Sequence, residues 1–285
     1  MKKFAKYEEW FFKGLMYLST LSIGLVLFVI LFSVLYTGLP YLSWEMISSI
    51  PEGGYYYGKS GGILNAIIGS LYLSLGSTAL AFIVGMPLAM FMNIHLVRNT
   101  KFVSGIRFIL DLLWGVPSIV YGAFAFTIMI YFGLKTSLLA GIVTVSLFIL
   151  PIVVRAIDEV LMTVPRGLFE SALSLGSTKS EIAYRIMFKQ CFPGIITAIL
   201  LSFGRGIGDA ASILFTTGYT DYIPTSLGEQ TATLPLAIFF QLSSPIPEVR
   251  GRAYAASIIL ILIILIISLL SRYFTKRYEK NKINF

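Results

Sequence analysis

The sequence predicts an all-α, polytopic membrane protein with six transmembrane helices, on three observations. Of its 285 residues, 56% are hydrophobic and only 13% are charged, with a mean hydropathy of +0.83. Soluble domains carry about 25% charged residues, so this much apolar surface has no water-soluble core to fill. The apolar residues are also gathered into runs of the length a bilayer requires, about 20 residues each. Helices satisfy every backbone group within such a run. The basic residues, thirdly, are segregated. With six spans, seventeen Lys and Arg fall on the side of both termini, four fall on the other, and Arg205 lies within a span. Positive charge stays inside, so both termini are expected in the cytoplasm. The net charge of +8 is then a signal of topology and not of a nucleic-acid partner.

Residues 1–13 form a cytoplasmic segment with Lys2, Lys3, Lys6 and Lys13. The apolar run 14–36 is read as a retained first span, since it is too long for a signal peptide and no small-residue cleavage pattern ends it. An outer loop, 38–62, precedes a long second span, 63–94, expected to bend at Gly85 and Pro87. His95, Arg98, Lys101 and Arg107 mark its inner end. The third span, 108–132, is interrupted at Gly115 and Pro117, and the fourth is 137–154. The polar stretch 165–189 leads into a fifth span, 194–215. The outer loop 216–250 carries a short apolar patch, 234–240, expected to dip partway into the membrane. The sixth span, 253–270, completes a transmembrane domain over 14–274, followed by a basic cytoplasmic tail, 275–285. Trp10, Trp44 and Tyr273 read as interface anchors. One cysteine, Cys191, excludes an intrachain disulfide or a cysteine metal cluster, and one histidine, His95, leaves zinc chemistry and a Ser-His-Asp triad poorly supplied. No catalytic residue and no metal site is expected.

The stretch from Glu170 to Gly194 is the longest markedly polar passage between apolar spans on the inner side. Leu168, Ala172 and Leu175 share a stripe of an amphipathic helix. Gly176 breaks that helix, and Thr178 to Glu181 fits a capping box that restarts a second one. Helix, glycine elbow, helix is a shape that a partner protein can grip. Residues 53–60, Gly-Gly-Tyr-Tyr-Tyr-Gly-Lys-Ser, satisfy the phosphate-loop pattern. Their context fails: no apolar strand precedes them, three tyrosines crowd the loop, and they lie outside. ATP and Mg are therefore expected on another chain, with no cofactor in this one.

Arg205 and Asp209, in Gly204-Arg205-Gly206-Ile207-Gly208-Asp209, are the conspicuous charges within the spans. An Arg at mid-bilayer costs about 2.5–3.5 kcal/mol and needs a partner or a wet path. Four residues apart on a helix, the two can pair. A guanidinium fork also matches an oxyanion. The residues leave an anion site and a structural ion pair equally open. Asp111 reads as a helix-end charge, and Asn65 as a cap or an interhelical hydrogen bond.

Four segments resemble the permeases of ABC importers. Glu170-Ser171-Ala172, Gly176 at the expected distance and Ile186 after nine more residues resemble the EAA coupling loop of that family, with Ser171 for Ala and Lys189 where Pro is usual. Arg205-x-x-Gly208-Asp209-Ala210 resembles the R-x-x-G-E-T-A segment of phosphate permeases, with Asp209 for Glu. Asn65 to Leu71 and Asp111 to Gly122 resemble two further segments of that family. Over residues 60 to 270 the chain is thus similar to the phosphate permeases of binding-protein-dependent ABC importers, most closely the PstA type. The resemblance implies an inner-membrane subunit carrying half of a phosphate path. It implies a PstC-like second permease, two PstB-like ATPase subunits and a PstS-like extracytoplasmic phosphate-binding protein as partners. It assigns Arg205, Asp209, Gly204, Gly208 and Ser118 to the substrate path, and Glu170, Ser171, Ala172, Gly176 and Ser177 to ATPase coupling. A permease for sulfate or molybdate is the alternative. An intramembrane enzyme would need a second deep carboxylate, and a passive channel would need no coupling loop.

Overall fold

The computed structural model describes residues 2–58, 60–96 and 100–279. Lys59 of the phosphate-loop pattern, Arg98 and the tail beyond Glu279 lie outside them. Eleven helices are named here: α1 (Lys2–Gly38), α2 (Trp44–Ser48), α3 (Leu64–Met90), α4 (Thr100–Gly115), α5 (Ser118–Tyr131), α6 (Leu138–Met162), α7 (Arg166–Ser174), α8 (Lys179–Glu181), α9 (Phe188–Gly208), α10 (Leu234–Leu242) and α11 (Pro247–Glu279). Five helical stretches are long and apolar enough to cross a membrane. The bent pair α4–α5, counted as one interrupted span, makes six.

The bundle is centred on α3, α6, α9 and α11, with α3 and α6 in the most extensive contact. In lipid the hydrophobic effect does not drive helix pairing, so close approach of small residues must. The buried face of α3 supplies them in Ser70, Ser74, Ser77, Ala81 and Gly85. A Cβ on Gly85 would lie 3.2 Å from Val153 of α6, and Ser146 of α6 donates to the Ser77 carbonyl at 3.2 Å. Helix α1 stands at the edge, packed on α11 where Gly38 meets Tyr254.

Three boundaries differ from expectation. The third span is not one helix from 108: α4 starts at Thr100 and meets α5 at 93°. Pro117 has no N–H to give and bars Val116 from helical geometry. The second span remains a single helical stretch to His95, its last turn widening to π geometry over Phe91–His95. The fifth span begins at Lys179 and ends at Gly208, so residues 209–217 are turns and not helix. A π turn over Ile182–Met187 precedes Pro193, which sits inside α9 instead of ending it. Gly204, Gly206 and Gly208 weaken the far end of the same helix.

The end of the bundle away from the α7 elbow is closed by α10 and the loops around it. The apolar patch expected to dip inward is α10, with Leu234, Leu236 and Ala237 buried. Asn65 Nδ2 donates to the Thr220 carbonyl at 2.7 Å, and the Leu234 N–H donates to Ser70 Oγ at 2.7 Å, tying α3 to this cap. The three tyrosines of the phosphate-loop pattern form a 3-10 turn between Gly54 and Gly58, both at positive φ. Tyr55 is fully buried under Arg252, which donates to the carbonyls of Tyr55 and Gly58 and lies 4.6 Å over the Tyr55 ring. A phosphate cradle presents N–H groups; this turn presents carbonyls to an arginine of its own chain.

Gly69 of α3 rests against the backbone of the cap. A Cβ there would strike the Ala232 carbonyl and Thr231 Oγ1. Gly69→Ala is therefore expected to cost about 1–3 kcal/mol and to lower the melting midpoint of the detergent-solubilised protein. Gly105→Ala in α4, where nothing lies within 4 Å, should leave it unchanged or raise it.

Candidate functional site

A cavity of about 930 Å³ opens between α5, α6, α9 and α11. All five residues assigned to the substrate path border it: Arg205, Asp209, Gly204, Gly208 and Ser118. The α4–α5 break brings them together, because the 93° turn swings Gly115 to Ser118 into the cavity wall instead of leaving them mid-span. The glycines of α9 divide by face. A Cβ on Gly204 would meet nothing within 4 Å and one on Gly208 only Ile264 at 3.9 Å, so both leave room beside the cavity. Gly206 faces the packed side, 3.4 Å from Val145.

Arg205 and Asp209 do not form the ion pair that their spacing allows. The helix stops at Gly208, and Asp209 takes an extended conformation with ψ of 124°. Its carboxylate instead accepts from the Ser212 N–H at 2.9 Å, capping the turn that follows. Pairing at i, i+4 holds only while the helix continues through both residues. Arg205 is exposed to the cavity, has no carboxylate partner among the described residues, and lies 5.4 Å over the Phe148 ring. A cation over an aromatic face is held without losing its charge. In the last turn of α9 the guanidinium also offsets the negative end of the helix dipole. The result is a positive fork able to take an oxyanion in bidentate fashion.

The deepest ion cluster lies elsewhere. The Asp158 side chain is fully buried in α6. Arg107 of α4 donates to it through Nε and Nη2, both at 2.9 Å; Asn93 donates at 2.7 Å and Arg155 at 3.1 Å. Arg155 Nε also lies 2.9 Å from Asp111, a charge contact and not a directed hydrogen bond. Asp111 is thus part of an ion network and not a lone helix-end charge. Asp158 was not singled out from the sequence. The signal available was an acid in an otherwise apolar helix, three residues after Arg155 and with no polar side of its own.

The cluster sits just above the polar stretch. Helix α6 ends at Met162 and α7 begins at Arg166. Leu175 and Gly176 make the elbow, Gly176 at a φ of +82°. Thr178 then accepts from the Glu181 N–H while Glu181 accepts from the Thr178 N–H, completing the capping box. The apolar stripe of α7 is Phe169 and Ala172, which join the core, while Leu175 is 86% exposed at the tip. It is not on the inward stripe because the helix has already ended at Ser174. Of the coupling residues, Glu170, Ser171 and Gly176 are exposed, Ser177 is half-buried, and Ala172 is buried in the chain's own core. The result is a polar elbow with an outward leucine, braced from behind by Ala172.

Comparison with known proteins identifies the family and the fold. Residues 85–280 match the family described as binding-protein-dependent transport system inner membrane component. The chain is 31% identical over 266 residues to the phosphate transport system permease protein PstA of Haemophilus influenzae, covering 92% of this chain and 91% of the relative. It is 33% identical to the protein of the same description from Yersinia pestis, covering 90% and 86%. Among solved structures, an inward-facing MetNI methionine ABC transporter aligns with a TM-score of 0.63 at 16% identity, covering 76% of this chain and 95% of that one. A bacterial alginate ABC transporter in complex with its pentasaccharide-bound periplasmic protein aligns at 0.59 and 19%, covering 93% and 96%. The solved structures bear on the fold alone.

Removing one partner of a buried ion pair leaves the other charge uncompensated. Asp158→Ala is expected to destabilise the detergent-solubilised protein by about 3–5 kcal/mol, read as a fall in the thermal midpoint. Asp111→Ala, at a carboxylate that is 52% exposed, should change the midpoint far less.

Proposed function

Since the chain belongs to the family of binding-protein-dependent transport system inner membrane components, with PstA proteins as relatives over nearly their full length, we propose that it forms half of the translocation path of an ATP-driven phosphate importer. It is a multi-pass membrane permease and not an enzyme. The observation that carries the substrate reading is the cavity bordered by Arg205, Asp209, Gly204, Gly208 and Ser118. Its unpaired guanidinium is the group a phosphate needs, and its glycines leave the backbone close enough to share the anion.

Arg205 takes the phosphate oxygens. Asp209 holds the turn after α9 in place through the Ser212 amide, and its negative charge keeps the anion from settling too firmly. A path must bind its ion well enough to admit it and weakly enough to let it leave. The cavity is open on one side, and a second, PstC-like permease closes it. Delivery comes from a PstS-like extracytoplasmic phosphate-binding protein at the outer cap. Both termini and the α7 elbow are cytoplasmic, as the segregation of Lys and Arg supports. The elbow engages one of two PstB-like ATPase subunits, which carry ATP and Mg. Glu170, Ser171, Leu175, Gly176 and Ser177 present the docking surface, and Ala172 fixes it to the bundle. ATP binding closes the ATPases and draws the elbows together; α6 and α9, which flank the elbow, carry that motion to the cavity.

Two measurements test this reading. In proteoliposomes holding the whole complex, Arg205→Gln should lower ATP-dependent phosphate uptake at least about tenfold, the loss of a charge-assisted contact, while the complex still assembles. An excess of sulfate should leave uptake by the unsubstituted complex intact; inhibition by sulfate favours the broader oxyanion permease. For the elbow, Ser174→Cys and Ser177→Cys should crosslink to an ATPase subunit in membranes, and a complete lack of crosslinking along the elbow overturns the coupling role.

A further inference from the structure

Arg272 lies just past the sixth span expected from the sequence, 253–270, among the basic residues on the side of both termini, yet its side chain borders the same cavity as Arg205. It is exposed and has no ion-pair partner among the described residues. Ser268 and Ser271 border the cavity beside it. Serines in membrane helices commonly return their hydroxyl to a carbonyl one turn back, as Ser257 and Thr275 of α11 do, to Ala253 and Ser271. The Ser268 and Ser271 hydroxyls make no such bond and are left to the cavity.

The relative depth of the two arginines follows from one contact. Thr197 of α9 and Thr275 of α11 touch through their hydroxyls at 2.6 Å, and the two helices run in opposite directions. At 1.5 Å per residue, Arg205 lies about 12 Å beyond that contact and Arg272 only about 4.5 Å beyond it, on the same side. The Arg272 Cα is therefore about 7–8 Å nearer the α7 elbow, and Ser271, at about 6 Å, and Ser268, at about 10.5 Å, lie between the two levels. The cavity spans both levels, and a single phosphate in so large a space needs more than one handhold.

We infer that Arg272, with the hydroxyls of Ser268 and Ser271 between it and Arg205, forms a second anion station on the elbow side of Arg205, which receives phosphate from Arg205 and releases it to the cell. This rests on the phosphate-path reading above. The guanidinium takes two oxygens of the anion and the serine hydroxyls donate to the others. Two weak stations in series let the ion advance without being trapped at either, as conduction through a multi-site path requires.

The test uses the whole complex in proteoliposomes. Ser268→Cys places an exposed thiol in the station, and the native Cys191 is buried. Inorganic phosphate should slow labelling of that thiol by a negatively charged thiosulfonate reagent at least about threefold, and adding Arg272→Gln should abolish the protection. Without the Ser268→Cys change, Arg272→Gln should lower uptake about tenfold with the complex assembled, and Arg272→Lys, which keeps the charge, should recover part of it. Wild-type uptake by Arg272→Gln, or phosphate protection that persists in its presence, overturns the station, while uptake by the unsubstituted complex still upholds the phosphate reading. Protection by sulfate and not by phosphate keeps the station and overturns the phosphate reading.

Discussion

The carboxylate of Asp158 is the constraint on which the inner half of the molecule depends. A fully buried charge is tolerated only when partners neutralise it and use its lone pairs. Arg107 takes two positions, Asn93 a third and Arg155 a fourth. Those donors come from α4, from the π turn after α3 and from α6 itself. Meeting the demand of one carboxylate thus pins three elements at the level where α6 gives way to α7. The elbow therefore leaves α6 from a base fixed by these bonds.

The outer half is held by a different kind of contact. Here α3 approaches its neighbours through Gly69, Ser70 and the smaller residues below them, and backbone polar groups of the cap find partners on α3. Arg252 pins the tyrosine turn to α11. The motif that mimics a phosphate loop is therefore a brace between the first outer loop and the last span. Gly54 and Gly58 serve the positive φ of the turn, and the Tyr55 ring fills the space beneath the arginine.

Between these two fixed ends lies the loosely filled region that transport requires. Gly204 and Gly208 remove side chains on the cavity side of α9, and the α4–α5 break withdraws the helix that would otherwise fill the gap. Arg205 is left facing the cavity with the Phe148 ring 5.4 Å beneath it and no carboxylate partner among the described residues. In a bilayer an arginine so placed demands water, a counter-anion or the covering face of another subunit. The same demand that makes the position costly leaves a fixed positive charge open to the cavity.

Much of this was legible in the sequence because it depends on local rules. Apolar run length marked most of the spans, Gly176 marked the break between two helices, the Thr178–Glu181 capping box followed from three-residue spacing, and Arg205 stood out among its glycines as a charge within a span. What the tertiary structure alone decided depends on where helices stop and what they then face. Whether Arg205 pairs with Asp209 turned on the helix ending at Gly208. Whether Arg272 faces a cavity turned on the register of α11 against α9. The importance of Asp158 emerged only when the fold brought Arg107 to it from fifty-one residues away in sequence. Sequence spacing reports neighbours within one helix; the cost of a buried charge is met by whichever helix packs against it, and only the folded bundle decides which that is.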